Sequence, residues 1–316
     1  MFKNRKITTL ILLSAVCYLS SNLYAADSKT GTTTASFLKI ETGARPTAMG
    51  GAFAAVSDDL NALYYNPAGL AQLDSRAFSA VHTLWLQSIN HDYVAFGFPI
   101  TLMDNKLAFG IHAVYLGVDD IDRRTSAGVS DGQAKVADLA VAGTVAWQLR
   151  DTTNLGFTVK GIRMAMDKSQ DNGFALDAGI LEKLPDNLAV GLMVQNLGPK
   201  MDVSGTKEKL PTNLKAGLSY RMFNNNLLLA TDVDFPNDRN MRFHGGAEYR
   251  FNKLFALRTG YEDVNSPGNS SGFTAGISVN EDYIDEILNV KMQFDYAWMS
   301  FGELGSTHRI EIGIKF

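Results

Sequence analysis

From Arg76 to Phe316 the chain repeats one pattern, short segments in which apolar and polar positions alternate. The last segment is the plainest. His308, Ile310, Ile312, Ile314 and Phe316 share one face, and Arg309, Glu311, Gly313 and Lys315 share the other. Leu214, Ala216, Leu218 and Tyr220 alternate in the same way with Lys215, Gly217, Ser219 and Arg221. So do Phe243, Gly245, Ala247 and Tyr249 with His244, Gly246, Glu248 and Arg250. This period of two predicts strands at about 76–86, 91–100, 106–117, 134–149, 155–166, 173–183, 188–197, 212–222, 227–235, 241–251, 254–263, 272–280, 289–298 and 307–316.

Those fourteen segments predict an all-β fold, a 14-stranded antiparallel transmembrane β-barrel over 76–316. The polar face carries Arg221, Asp232, Asp234, Glu248, Arg250, Arg258, Asp295, Arg309 and Glu311. Charges on one face and apolar residues on the other suit a wall facing lipid outside and a wet lumen inside. On that basis a charge is expected to be costly at Leu218 and tolerated at Ser219. The connections 101–105, 150–154, 184–187, 223–226 and 252–253 are short and alternate with 118–133, 198–211, 235–240, 264–271 and 299–306, which are mostly longer. Short periplasmic turns and long outer loops follow the same rule. The longer link 281–288 spaces Tyr283, Ile284, Ile287 and Leu288 like a short amphipathic helix. Tyr115, Phe235, Tyr261, Trp298 and Phe301 cluster near one set of strand ends. Trp147, Phe223, Phe251, Phe255 and Phe316 cluster near the other, as two interfacial belts would.

Residues 26–75 break the pattern. Ser57-Asp58-Asp59 precedes the helical run 60–65 and supplies a capping group and acids for its first turn. Pro67 stops that run, and Asn66 can cap a new turn with Pro67 at its first position. Gly50 and Gly51 allow tight bends. A fourteen-stranded ring is too wide for side chains to fill. This partly helical stretch is therefore expected to be a hatch that enters from the periplasmic side, with Asn66, Pro67, Ala68, Gly50 and Gly51 as its gate residues.

Residues 1–25 read as a cleavable export signal, with Lys3, Arg5 and Lys6 before the uncharged stretch 7–19 and Ala25 at the cleavage site. The formal net charge is −4, and the signal holds three of the positive charges and no acid. An acidic mature chain lacks the basic footprint of a nucleic-acid binder. Cys17 is the only cysteine, so beyond the signal there is neither a disulfide framework nor a cysteine metal site. His82, His91, His112, His244 and His308 have no metal-ligand spacing. Asp119, Asp120 and Asp122 fall short of a calcium loop. No phosphate loop or nucleophile elbow is present. No cofactor and no enzymatic activity are expected.

The stretch Thr42-Gly43-Ala44-Arg45-Pro46-Thr47-Ala48-Met49-Gly50-Gly51-Ala52-Phe53, then Ala55–Asp59, then Tyr65-Asn66-Pro67-Ala68-Gly69-Leu70-Ala71, resembles the N-terminal signature of the PorV/PorQ outer-membrane proteins. These belong to the FadL-like superfamily of fourteen-stranded barrels, and Asn66-Pro67-Ala68 resembles the FadL hatch motif. Val194–Gly198 and Leu210–Leu214 are also similar to family segments. The last strand, with Ile310, Ile312, Ile314 and Phe316, resembles the signal read by the barrel assembly machinery. The resemblance implies residence in the outer membrane of a Gram-negative-type bacterium, in contact with its lipid. It also implies one of two roles. One is passage of a hydrophobic or amphipathic small molecule gated by the hatch. The other is a type IX secretion role, in which an exported protein is bound at the outer membrane. A barrel enzyme is the remaining alternative.

Overall fold

Alternation with period two gives strands that pair edge to edge, and a ring of them leaves no edge open. The computed structural model describes residues 31–263, 272–281 and 290–316, apart from the single positions 104, 168 and 204. The expected export signal, the connection 264–271 and nearly all of the link 281–288 lie outside the described residues. The first strands are β1 (Ala77–Leu84), β2 (Asn90–Leu102), β3 (Asn105–Arg124), β4 (Ser130–Gln148), β5 (Thr153–Met166), β6 (Ser169–Lys183) and β7 (Leu188–Leu197). A small hairpin follows, β8 (Met201–Val203) with β9 (Thr206–Glu208). Then come β10 (Asn213–Met222), β11 (Leu227–Pro236), β12 (Arg242–Arg250), β13 (Phe255–Glu262), β14 (Phe273–Glu281), β15 (Lys291–Ser300) and β16 (Ser306–Lys315). All except β8 and β9 form a closed antiparallel barrel of fourteen strands, and β1 pairs with β16 to shut it.

The apolar set faces outward. Val141, Phe157, Val159, Phe174, Leu214, Leu257 and Ile310 are exposed, while their neighbours in sequence point into the ring and are mostly buried. An exposed apolar band of this extent is an interface for something other than water. Among the described residues no helix is long and apolar enough to cross a membrane.

The end holding Ala77 and Phe316 is called here the near end. Its described connections are tight. Asp186 and Asn187 take left-handed backbone in one turn, and Asn224 and Asn225 do so in another. The far end departs from expectation at 118–133. That stretch is not a loop, because β3 runs on to Arg124 and β4 starts at Ser130, with two register shifts along the way. Thr125 and Val129 close the tip, and Asp122 holds Arg124 and Ser130. Side-chain bonding of this kind keeps the strand pair going well beyond the rim of its neighbours.

The inner segment also departs from expectation. Thr33 bridges to Lys209, and Lys39 meets Asp238 at 2.7 Å, both in far-end connections. Arg76 hands over to β1 at the near end. Residues 31–76 therefore pass through the ring from far end to near end, rather than entering and leaving on the periplasmic side.

Candidate functional site

The segment inside the ring is built from very short pieces. Helical turns span Ser36–Lys39, Ala44–Ala48, Ala62–Tyr65 and Pro67–Gln72. The third starts later than expected, after Asn61, which has no side-chain cap; Asp59 accepts instead from Asn61 N at 2.8 Å. Turns this short have no stability of their own. Their backbone groups are held by the wall instead. Asp232 of β11 accepts from Phe53 N and Ala54 N, both at 2.8 Å. Glu311 of β16 accepts from Ala44 N at 2.8 Å, from Ser79 Oγ at 2.8 Å and from Asn61 Nδ2 at 3.2 Å. Thr274 of β14 donates to Ala48 O at 3.0 Å, and His244 Nδ1 meets Gly50 O at 2.8 Å.

Inward-facing glycines let the backbone of the segment lie directly on the wall. A Cβ at Gly156 of β5 would fall on the Pro67–Ala68 peptide, and one at Gly191 of β7 on the Ala54 carbonyl. Gly179, Gly246 and Gly260 meet Asn66, Met49 and Gly50 in the same manner. By contrast, nothing lies near the outward glycines Gly143 and Gly245.

Arg45 is the centre of the ion network. It reaches Glu248 at 2.7 Å and Asp59 at 2.7 Å, and it also holds Asp58. Arg258 of β13 bonds the same Glu248 at 2.7 Å and Asp295 of β15 at 2.7 Å. Arg221 joins Asp58 at 2.6 Å, and Arg250 joins Glu248 at 3.0 Å. Burial opposes ionisation of Asp58, but Arg45 and Arg221 outweigh it and hold the carboxyl well below the usual range. Lys215 meets Asp234 at 3.1 Å and lies over the Tyr65 ring.

All nine charges singled out on the polar face thus point inward, but the expected wet lumen is not found. Asp232, Asp234, Glu248, Arg258, Asp295, Arg309 and Glu311 are buried, and only Arg221 and Arg250 are partly exposed. Ser219 is buried as well and donates to Ala55 O at 3.0 Å, so a charge placed there would meet the backbone of the inner segment and not the wet lumen on which its expected tolerance rested.

Asn66 sits in extended backbone. Its Oδ1 accepts from Ala68 N at 3.2 Å, and its Nδ2 donates to Ala54 O at 2.8 Å and Ile180 O at 3.1 Å. One side chain therefore ties two turns of the segment to β6. Gly50 and Gly51 take left-handed backbone, with φ of 63° and 78°. Ile310 and Ile312 face outward and are exposed, as is Phe316, whose N–H donates to Arg76 O at 2.9 Å; Ile314 is half-buried.

Glu41 has no signal in the sequence, and Arg45, Asp58, Asp59, Lys215 and His244 stand out there only for other reasons, none as part of an ion network. Arg45, Asp58 and Asp59 lie inside the quoted family motif, and Asp58 and Asp59 also read as acids of a helix's first turn. Glu41, His244 and Glu262 bring ligand-type atoms within 4.8 Å of one another. Arg242 already pairs with Glu262, and Lys215 lies 4.0 Å from Glu41, so the cluster reads as an ion network. At the near end a vestibule of about 1010 Å³ opens below Arg45 and Asp59, bordered by Asn224, Lys253, Lys291 and Lys315.

The model of the uncharacterised protein family UPF0164 matches residues 13–174, and the chain belongs to that family. No curated protein matches the chain. Among solved structures, the toluene transporter TbuX of Ralstonia pickettii is similar with a TM-score of 0.58 at 17% identity, over 86% of this chain and 97% of that one. The toluene transporter TodX of Pseudomonas putida gives 0.58 at 15%, over 86% and 96%. A FadL homologue of Pseudomonas aeruginosa gives 0.59 at 10%, over 87% and 98%. The fold is that of the FadL-type barrels.

Proposed function

We propose that this UPF0164 member spans the outer membrane, near end to the periplasm, and passes hydrophobic or amphipathic small molecules along a path that residues 31–76 close. The observation carrying this reading is how the segment is held. It crosses the whole ring, yet on one side ion pairs and hydrogen bonds bind it, contacts that can be exchanged for water. The exposed apolar band supports lipid contact. The short near-end turns support the orientation, and the toluene transporters sharing the fold support the class of molecule. The test is a planar bilayer. Removal of residues 26–70 is expected to leave an inserted barrel with raised conductance and faster entry of a small aromatic hydrocarbon into vesicles. A truncated barrel that inserts and conducts no more than the intact chain overturns the gate.

A type IX secretion role of PorV/PorQ kind is the second reading. It is supported by the motif over 42–71 and by the β3–β4 hairpin standing beyond the far rim. In that case an exported protein co-purifies with the intact chain and is lost when 119–133 is shortened, while conductance of the truncated barrel stays low.

A further inference from the structure

One buried cation in the ring is unlike the rest. Arg45 and Arg258 each have a carboxylate at 2.7 Å, Lys160 has Asp177 at 3.0 Å, and Lys215 has Asp234 at 3.1 Å. Arg309 is 1% exposed, and among the described residues no carboxylate stands within ion-pair distance of it. Its two protein hydrogen bonds are long and go to neutral oxygens, Thr307 Oγ1 at 3.2 Å and Glu41 O at 3.3 Å. Its Nε has no protein partner.

The neighbours of Arg309 share that condition. Arg309 of β16 is the register partner of Thr83 of β1, and Thr83 is the register partner of His91 of β2. All three point inward and are at least nine-tenths buried. Thr83 Oγ1 and both ring nitrogens of His91 have no protein partner, and neither has the hydroxyl of Thr42, next along from the Glu41 carbonyl. Partners opposite one another on adjacent strands sit about 5 Å apart, so the row is a compact set of donors. Trp85 covers it, its ring 5.4 Å from the Arg309 guanidinium and 5.3 Å from Phe301.

We propose that Arg309, Thr83 and His91 bind one small anion, a halide or a single carboxylate or phosphate group, at the seam where the first and last strands close. The Arg309 guanidinium, the Thr83 hydroxyl and one His91 N–H all donate hydrogen bonds. The Glu41 carboxylate acts on Arg309 only from beyond ion-pair distance, so the buried cation has no hydrogen-bonded counter-charge, which is costly, and a neutral occupant such as water satisfies the donors but supplies none. An anion does both. Because Arg309 also bonds the Glu41 carbonyl, the bound anion would fasten the inner segment to the seam. This inference does not depend on what the barrel transports.

The test is thermal unfolding of the intact protein in detergent, at ionic strength fixed by a bulky organic sulfonate, with chloride, acetate and phosphate titrated separately. A saturable rise in midpoint on the order of 5 °C is expected for at least one of the three. A response to chloride identifies a halide, one to acetate a carboxylate, and one to phosphate a free oxyanion. Arg309→Gln should abolish the response and Thr83→Val should weaken it. Should Arg309→Gln fail to assemble, crystals of the wild type soaked in bromide supply the second measurement, with an anomalous peak expected beside Arg309 Nε. No saturable response to any of the three, the same response in Thr83→Val as in the wild type, or, where chloride is the ion that responds, bromide-soaked crystals without that peak would each overturn the site.

Discussion

The lumen has two unlike halves. Against β2 to β5 the inner segment packs with apolar side chains. Leu60, Leu63, Leu70 and Leu73 share one cluster with Tyr93, Ala95, Ala108, Val114 and Ile162. Against β10 to β16 it is held by Asp232, His244, Glu248, Arg258, Thr274 and Glu311. The two halves respond differently to water. Apolar packing has no hydrated substitute, so on that side the segment is expected to stay put until the barrel unfolds. Ion pairs and hydrogen bonds have a competitor in water, so the charged side is where the segment can let go first. The vestibule opens beneath Arg45 and Asp59, on the charged side.

Breaking the charged half should give the largest effect. Arg45→Gln leaves Glu248, Asp58 and Asp59 short of a partner, and loss of one partner from a buried network costs about 3–5 kcal/mol. Raised bilayer conductance should accompany the loss; a destabilised barrel that does not leak would argue against two halves. Leu70→Ala, in the apolar half, is expected to cost about 3 kcal/mol by cavity formation. Denaturant unfolding should read that loss with conductance unchanged, and a leak as large as that of Arg45→Gln would erase the distinction.

Asn66→Ala lies between the halves, since Asn66 bonds both Ala54 and β6. A loss of about 1 kcal/mol is expected, as for a lost cap, with brief flickering openings in single-channel records. The smallest effect is one of pH. The Asp58 carboxyl is held below its ordinary value, so its stabilising contribution is complete above about pH 4 and fades as pH falls below that. Wild-type leak should therefore rise on acidification below pH 4. Asp58→Asn should leak at neutral pH and rise less, and an identical acid response in the two would remove Asp58 from the account.

Period two made the wall legible. Ile310, Ile312 and Ile314 on one face, with Arg309 and Glu311 on the other, define a strand and its orientation without help from the rest of the chain. The hairpin tip was not legible, because Asp119, Asp120, Asp122, Arg123 and Arg124 carry no alternation; pairing there depends on Asp122 reaching Ser130 across the turn. The state of the lumen was also hidden. A charged face reads the same whether it meets water or a second set of charges, and Arg45, Asp58 and Asp59 lie far away in sequence. Inward glycines such as Gly156 and Gly191 carry no signal in the alternation that marks them as contact points. Their purpose emerges only when a backbone is laid against them.

The passage of residues 31–76 from one end of the ring to the other bears on the order in which the molecule can form. Glu311 bonds Ala44 across 267 positions of sequence and Asn61 across 250, and Arg309 bonds Glu41 across 268. Each contact closes nearly the whole chain into a loop, and that loss of chain entropy has to be met before the contact returns anything. The same strand, β16, completes the ring by pairing with β1. Seating the inner segment and shutting the barrel are therefore one late, slow event. Residues 31–76 wait for the last strand, exposed to mispairing in the interval.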